Sequence, residues 1–144
     1  MAEWQWILMK SLMFSDEWFE KFGENLNSNE NYKKHAVDWE GDIALIIRGD
    51  EGSSFFRKGE TKNVRLNLYH GKCNSISFPA SVSFKDVAYL LEGTATTWER
   101  ILTGKVNVVT ALLRGEVKVT GDVKKLMKYV NAAQELVRSA QGIN

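Results

Sequence analysis

Between residues 43 and 92 apolar side chains tend to fall on every second position, and from residue 94 onward on every third or fourth. That switch of period, from two to about 3.6, constrains this chain more than any other feature: strands come first, helices follow, and both must share a core. "NVRLNLYHG" alternates cleanly, with Val64, Leu66 and Leu68 on one face and Arg65, Asn67 and Tyr69 on the other. "DWEGDIALIIRGD" puts Ile43, Leu45 and Ile47 together, and "KDVAYLLEG" does the same for Val87, Tyr89 and Leu91. Glycines and acids over Gly49–Gly52 turn the chain into "SSFFRKGE", while "NSISFPASVSF" offers more strand-like material, broken by Pro79.

In the second half, "TATTWERILTG" predicts a helix over 94–103 stopped by Gly104, and another follows over Val108–Leu113. Asp122 opens a last helix running to about Arg138. Its apolar stripe is Val123, Leu126, Met127, Val130, Ala133 and Val137, with Lys124, Lys125 and Lys128 facing solvent. Between these helices lies "ALLRGEVKVTGD", where Gly115 and Gly121 bracket a strand too short to stand alone. It makes sense as an edge added to an existing sheet, with Val117 and Val119 inward and Glu116, Lys118 and Thr120 outward. At the other end, Ser15 is a good N-cap for a helix over about 16–27 that buries Trp18, Phe19, Phe22 and Leu26. Phe14 and Phe19 flank the cap as a hydrophobic staple, and "NSNEN" closes the helix as a polar loop. A shorter helix is expected over 3–13. The layout is α+β: a mostly antiparallel sheet with helices packed on one face.

The chain has 144 residues, enough for one domain with a real core (residues 1–144, of which 1–13 form a helical extension). A net charge of +1 is too balanced for a nucleic-acid binder, which needs clustered cations facing phosphates. "MAEWQWILMKSLMF" lacks a basic leading segment and is interrupted by Lys10, so it is not read as a secretory signal. No stretch approaches the ~18 apolar residues of a membrane span. With Cys73 the single cysteine, no disulfide framework arises, and a cytoplasmic setting is expected.

The chemistry-bearing residues point away from catalysis, and no cofactor or metal is expected. His35 and His70 are the two histidines; His70 and Cys73, three apart in "HGKC", cannot close a four-coordinate zinc site without further ligands. "RGD" (Arg48–Asp50) reads as a turn, "GDEG" precedes a strand rather than the helix a phosphate loop requires, and Asp38 and Glu40 read as solvated carboxylates.

The segment from Tyr89 to Asp122, "YLLEG…TTWERILTGKVNVVTALLRGEVKVTGD", resembles the sterol carrier protein-2 (nonspecific lipid-transfer) domain family. Gly93, Trp98, Leu102, Gly104, Asn107, Ala111, Leu112, Gly115, Val117, Val119, Gly121 and Asp122 fall where that family's pattern wants them, and "VRLNLYHGKC" and "WEGDIALII" are similar to its prokaryotic stand-alone members. The C-terminal "QGIN" differs from the Ser-Lys-Leu peroxisomal address of many eukaryotic members, which favours a cytoplasmic, prokaryotic protein. The resemblance implies a five-stranded sheet and an apolar tunnel between sheet and helices that binds or transfers a lipid or fatty-acyl ligand without covalent chemistry.

Candidate lining residues are Leu45, Ile47, Leu66, Leu68, Tyr89, Leu91, Trp98, Leu102, Leu112, Val117, Val119 and Met127. Periodicity alone does not say whether they line a cavity or fill it. Arg100, Lys105 and Arg114 are the cations nearest the implied tunnel, and as helix-end residues they read first as solvated. Two other functions fit the same pattern. One is an interaction or dimerisation module with a filled core, whose Trp4 and Trp6 dock a partner, a membrane surface or a second subunit. The other is a domain that lends an apolar pocket to an enzyme acting on acyl substrates.

Overall fold

The structure, a computed structural model, describes residues 13–141 and Ile143. The helix expected over 3–13, including Trp4 and Trp6, lies essentially outside the described residues. Ser15 caps helix α1 (Asp16–Asn27), its hydroxyl accepting from the Trp18 N–H at 3.1 Å. Phe14 stacks on Phe19 across that cap, 6.4 Å between ring centroids, so the staple forms as the sequence implies. The polar segment after α1 contains a helix the sequence reading missed: α2 (Glu30–His35), capped by Asn29 accepting from the Tyr32 N–H. Its polarity hid it, because Tyr32 is the one side chain it buries.

Five strands follow, β1 (Ile43–Arg48), β2 (Thr61–Tyr69), β3 (Lys72–Ser77), β4 (Tyr89–Thr94) and, after two helices, β5 (Lys118–Thr120), in the order β3-β2-β1-β4-β5. Every pairing is antiparallel except β1 with β4, which run parallel with Ile43 opposite Tyr89 and Leu45 opposite Leu91. The loop from 49 to 60 and the β2–β3 hairpin lie between those two strands, so the chain has room to cross over before β4. His70 and Gly71, both at positive φ, make the two-residue hairpin turn, a geometry whose twist matches its strands.

β1 sits at the sheet's centre, and its run Ile43–Ile47 is buried or half-buried on both faces. Ile43, Leu45 and Ile47 meet the helices, as the alternation implies. Ala44 and Ile46 face the other way and join Leu90, Val82 and Val87 in a small second cluster under the 78–88 loop. Val87 thus belongs to the face opposite Tyr89, because the strand begins only at Tyr89 and the residues before it turn. The Arg65 guanidinium fastens this loop, donating to Asp42 Oδ2 at 2.7 Å and to the Asp86 carbonyl at 3.0 Å.

Helix α3 (Ala95–Leu102) follows β4, then α4 (Val108–Leu113), which leads into the edge strand β5. The brief Gly-bracketed strand does cap the sheet's edge, with Val117 buried and Lys118 exposed. The final helix is two: α5 (Val123–Met127), capped by Asp122, and α6 (Val130–Ala140). The break at Lys128–Tyr129 sets the Tyr129 ring edge-on to Trp39, 4.8 Å between centroids, and leaves Val123 of the expected stripe half-exposed at the start of α5. α6 packs against α1, α2, α3 and α4 and ties the helical layer together.

Gly121 is where the return from β5 is tightest. Its φ is +143°, and a methyl there would lie 2.5 Å from the Tyr89 ring and 2.7 Å from the Ala88 carbonyl oxygen. Gly121→Ala is expected to cost about 2–4 kcal/mol, combining backbone strain with displacement of a buried ring, read as a lower urea midpoint.

Candidate ligand-binding site

The helix-facing side of the sheet brings together nearly all the residues singled out from sequence. Ile47, Leu66, Leu68, Tyr89, Trp98 and Val117 are buried in one cluster, with Leu45, Leu91, Leu102, Leu112 and Val119 half-buried against it. Met127, half-buried on α5, lies outside the cluster formed by the described residues. Polar groups on these aromatics are satisfied within the fold. The Trp98 indole N–H donates to the Ile46 carbonyl at 3.1 Å, and Gly93 leaves the room its ring needs. Tyr89 donates its hydroxyl to the Asp122 carbonyl at 2.6 Å, linking β4 to the start of α5. These contacts hold the sheet and the α3 and α5 termini in fixed relation, so the apolar face is preformed.

An apolar crevice of about 30 Å³ remains where α2, the sheet and the α5–α6 break converge. Tyr32, Trp39, Ile43, Leu68, Leu126 and Tyr129 form its floor and sides, and Ala132, Ala133 and Leu136 of α6 close it. That is room for about two water molecules. Of the residues expected to line a ligand site, Leu68 alone borders it. The alanines were the missed signal: small residues at adjacent helical positions leave space between helix and sheet. A wider, more polar concavity of about 260 Å³ lies on the other side of α6, between Gly104, Val106 and Val108 and the α6 residues Gln134, Val137 and Arg138. Arg100, Lys105 and Arg114 are exposed, as the sequence implies.

The remaining candidates have structural work. Asp50 of the "RGD" turn accepts from both the Thr96 N–H (3.1 Å) and hydroxyl (2.9 Å) at the start of α3, while Arg48 pairs with Glu92 at 2.7 Å. His70 meets Glu40 at 2.8 Å, and Asp38 bonds the Tyr129 hydroxyl, so the two acids do not form a couple. The side chain of Asn27 brackets the Cys73 peptide, donating to its carbonyl and accepting from its N–H. No cluster of His, Cys, Asp or Glu among the described residues could hold a metal, and no described helix is long and apolar enough to cross a membrane.

Comparison with known proteins agrees with this architecture. The model of the SCP-2 sterol transfer family matches residues 19–134. A crystal structure of sterol carrier protein 2 is similar at a TM-score of 0.80 and 31% identity, covering 92% of this chain and 99% of that one. A conserved hypothetical protein from Thermus thermophilus is similar at 0.78 and 31%, covering 91% and 89%. The palmitated SCP2L2 of Aedes aegypti shares the fold at 0.57 and 14%, covering 87% and 95%. No match was found among curated protein sequences.

Two buried acids, Tyr32 of the crevice wall and Cys73, make stability pH-dependent. Burial pushes the Cys73 thiol from about 9 up to about 11, with a backbone hydrogen bond at Ser75 opposing it and the charge of Asp42 adding to it. Burial likewise raises the Tyr32 phenol, with Cys73 a lesser cause. Such groups favour the fold fully below their unfolded pKa, and that contribution is lost as pH climbs towards the folded value. Between pH 9 and 11 the protein is expected to lose on the order of 2 kcal/mol that Cys73→Ala does not lose, measured by urea unfolding at each pH. Parallel pH curves for the two proteins would contradict this.

Proposed function

The chain belongs to the SCP-2 sterol transfer family, and on that footing we propose that it carries a lipid with a long hydrocarbon portion, of fatty-acyl type, between the sheet and its helices. Carriage needs no catalytic group, cofactor or covalent step. The setting we infer is cytoplasmic, in keeping with a free, buried thiol.

The observation that carries the reading is the apolar crevice at the α5–α6 break. Its walls are hydrocarbon and aromatic ring, and the wall that closes it, α6, is separated from α5 by a two-residue turn. A hydrocarbon tail enters by displacing α6 from the sheet and runs along the face built by Leu68, Leu66, Ile47, Leu45, Tyr89 and Leu91. Trp98, Leu102, Leu112, Val117, Val119 and Met127 flank its far end. Each methylene moved from water is worth about 0.8 kcal/mol, so ten supply the ~8 kcal/mol of micromolar binding before the cost of moving α6. The palmitated Aedes aegypti protein supports an acyl chain as a guest of this architecture.

The test is uptake of a fluorescent long-chain fatty acid by the whole chain. The expected result is saturable micromolar binding, weakened about tenfold by Ala133→Trp, which fills the crevice from its half-buried wall while circular dichroism stays native. A folded parent that takes up nothing, or a variant that binds as the parent does, would refute the carrier and favour an interaction module with a filled core.

A further inference from the structure

Helix α4 is out of place on a protein surface. Its sequence, "VVTALL", has Thr110 as its single polar residue, and of its six residues Ala111 alone is buried. Val108 and Leu112 lean on the core, whereas Leu113 is exposed and Val109, four residues before it and therefore on the same face, is half-buried. Leu113 is 72% exposed, the most exposed of the large apolar side chains described. A short helix that is apolar all round is ordinarily buried or in contact with lipid.

Charge around the helix is equally lopsided. Residues 100–128 hold seven basic side chains against two acids, Glu116 and Asp122, while the whole chain is only +1. All seven are exposed, and none forms an ion pair with a described residue. Lys105 stands just before α4 and Arg114 just after it, one at each end of a helix about 9 Å long. Lys118 continues the cationic run along the exposed edge strand.

We propose that α4, with Lys105, Arg114 and Lys118, is a docking face for an anionic lipid surface: Val109 and Leu113 enter the interface and the cations meet the head groups. An exposed leucine beside a half-buried valine, rimmed by cations that pair with no described residue, matches that surface in both respects, and a neutral partner would leave the cations without a role. The other side of the same helix, through Val108, walls the 260 Å³ concavity, so docking brings that concavity against the membrane. The proposal draws its purpose from the carrier reading, but the two are measured separately.

The experiment is co-sedimentation of the whole chain with vesicles of phosphatidylcholine, with and without phosphatidylserine. Binding is expected only with phosphatidylserine and is expected to fall as salt rises. Leu113→Asp should weaken it at least about tenfold, and the double variant Lys105→Gln/Arg114→Gln about 25-fold, at about fivefold per cation. Phe84→Asp, an exposed apolar residue on the loop over the sheet's other face, should leave it unchanged. Fatty-acid uptake from solution should be normal in all of these variants, so loss of uptake by the parent would sink the carrier alone. The docking proposal is overturned if the parent ignores phosphatidylserine, if Leu113→Asp binds vesicles as the parent does, or if that variant alters self-association instead.

Discussion

The fold depends on burying β1 from both sides. A run of five apolar residues, Ile43–Ile47, sits in the middle of the sheet, and neither of its faces tolerates water. One face takes the helical layer and the other takes the 78–88 loop. At about 25 cal/mol per Å² of apolar surface, burying this run on both sides is a large favourable contribution to folding. The parallel β1–β4 pairing follows, since β2 already occupies one edge of β1 and the second must be filled by a strand arriving after the hairpin.

The helical layer solves its half of the problem unevenly, and the proposed carrier function rests on that unevenness. α1 seals its end with a stack of rings, Phe14, Trp18, Phe19 and Phe22, and leaves little to displace. α6 instead closes the sheet with Ala132 and Ala133 and is joined to α5 by a short turn. Alanines reach only part of the way to the rings and the leucine across from them, so contacts are lost along this seam. An oily guest gains most where the host gives up least.

Much of this was legible in the sequence. The change of period located the strands and later helices, Ser15 with its staple fixed α1, and the two glycines around β5 announced an edge strand. Alternation assigned Leu45, Ile47, Leu66, Leu68 and Tyr89 to the helix-facing side. What stayed hidden depended on non-local contacts. Ala44 and Ile46 lie on the face opposite Ile43, Leu45 and Ile47, and what covers them is the distant 78–88 loop. α2 is held by one buried tyrosine and a cap, too little for a periodic signal. The α5–α6 break responds to Trp39, ninety residues earlier, and no local pattern records that partner. The crevice was invisible for the same reason, since alanines mark a gap only when the surface across from them is known.

The central claim is that the seam between α6 and the sheet opens for a hydrocarbon guest. Native mass spectrometry of the protein as it comes from cells, kept free of detergent, tests it most directly. The account predicts a fraction of molecules carrying an adduct with the mass of a fatty acid or another lipid, released by mild activation and absent after delipidation. Folded protein found wholly at its own mass, and still so after incubation with fatty acid, would contradict it.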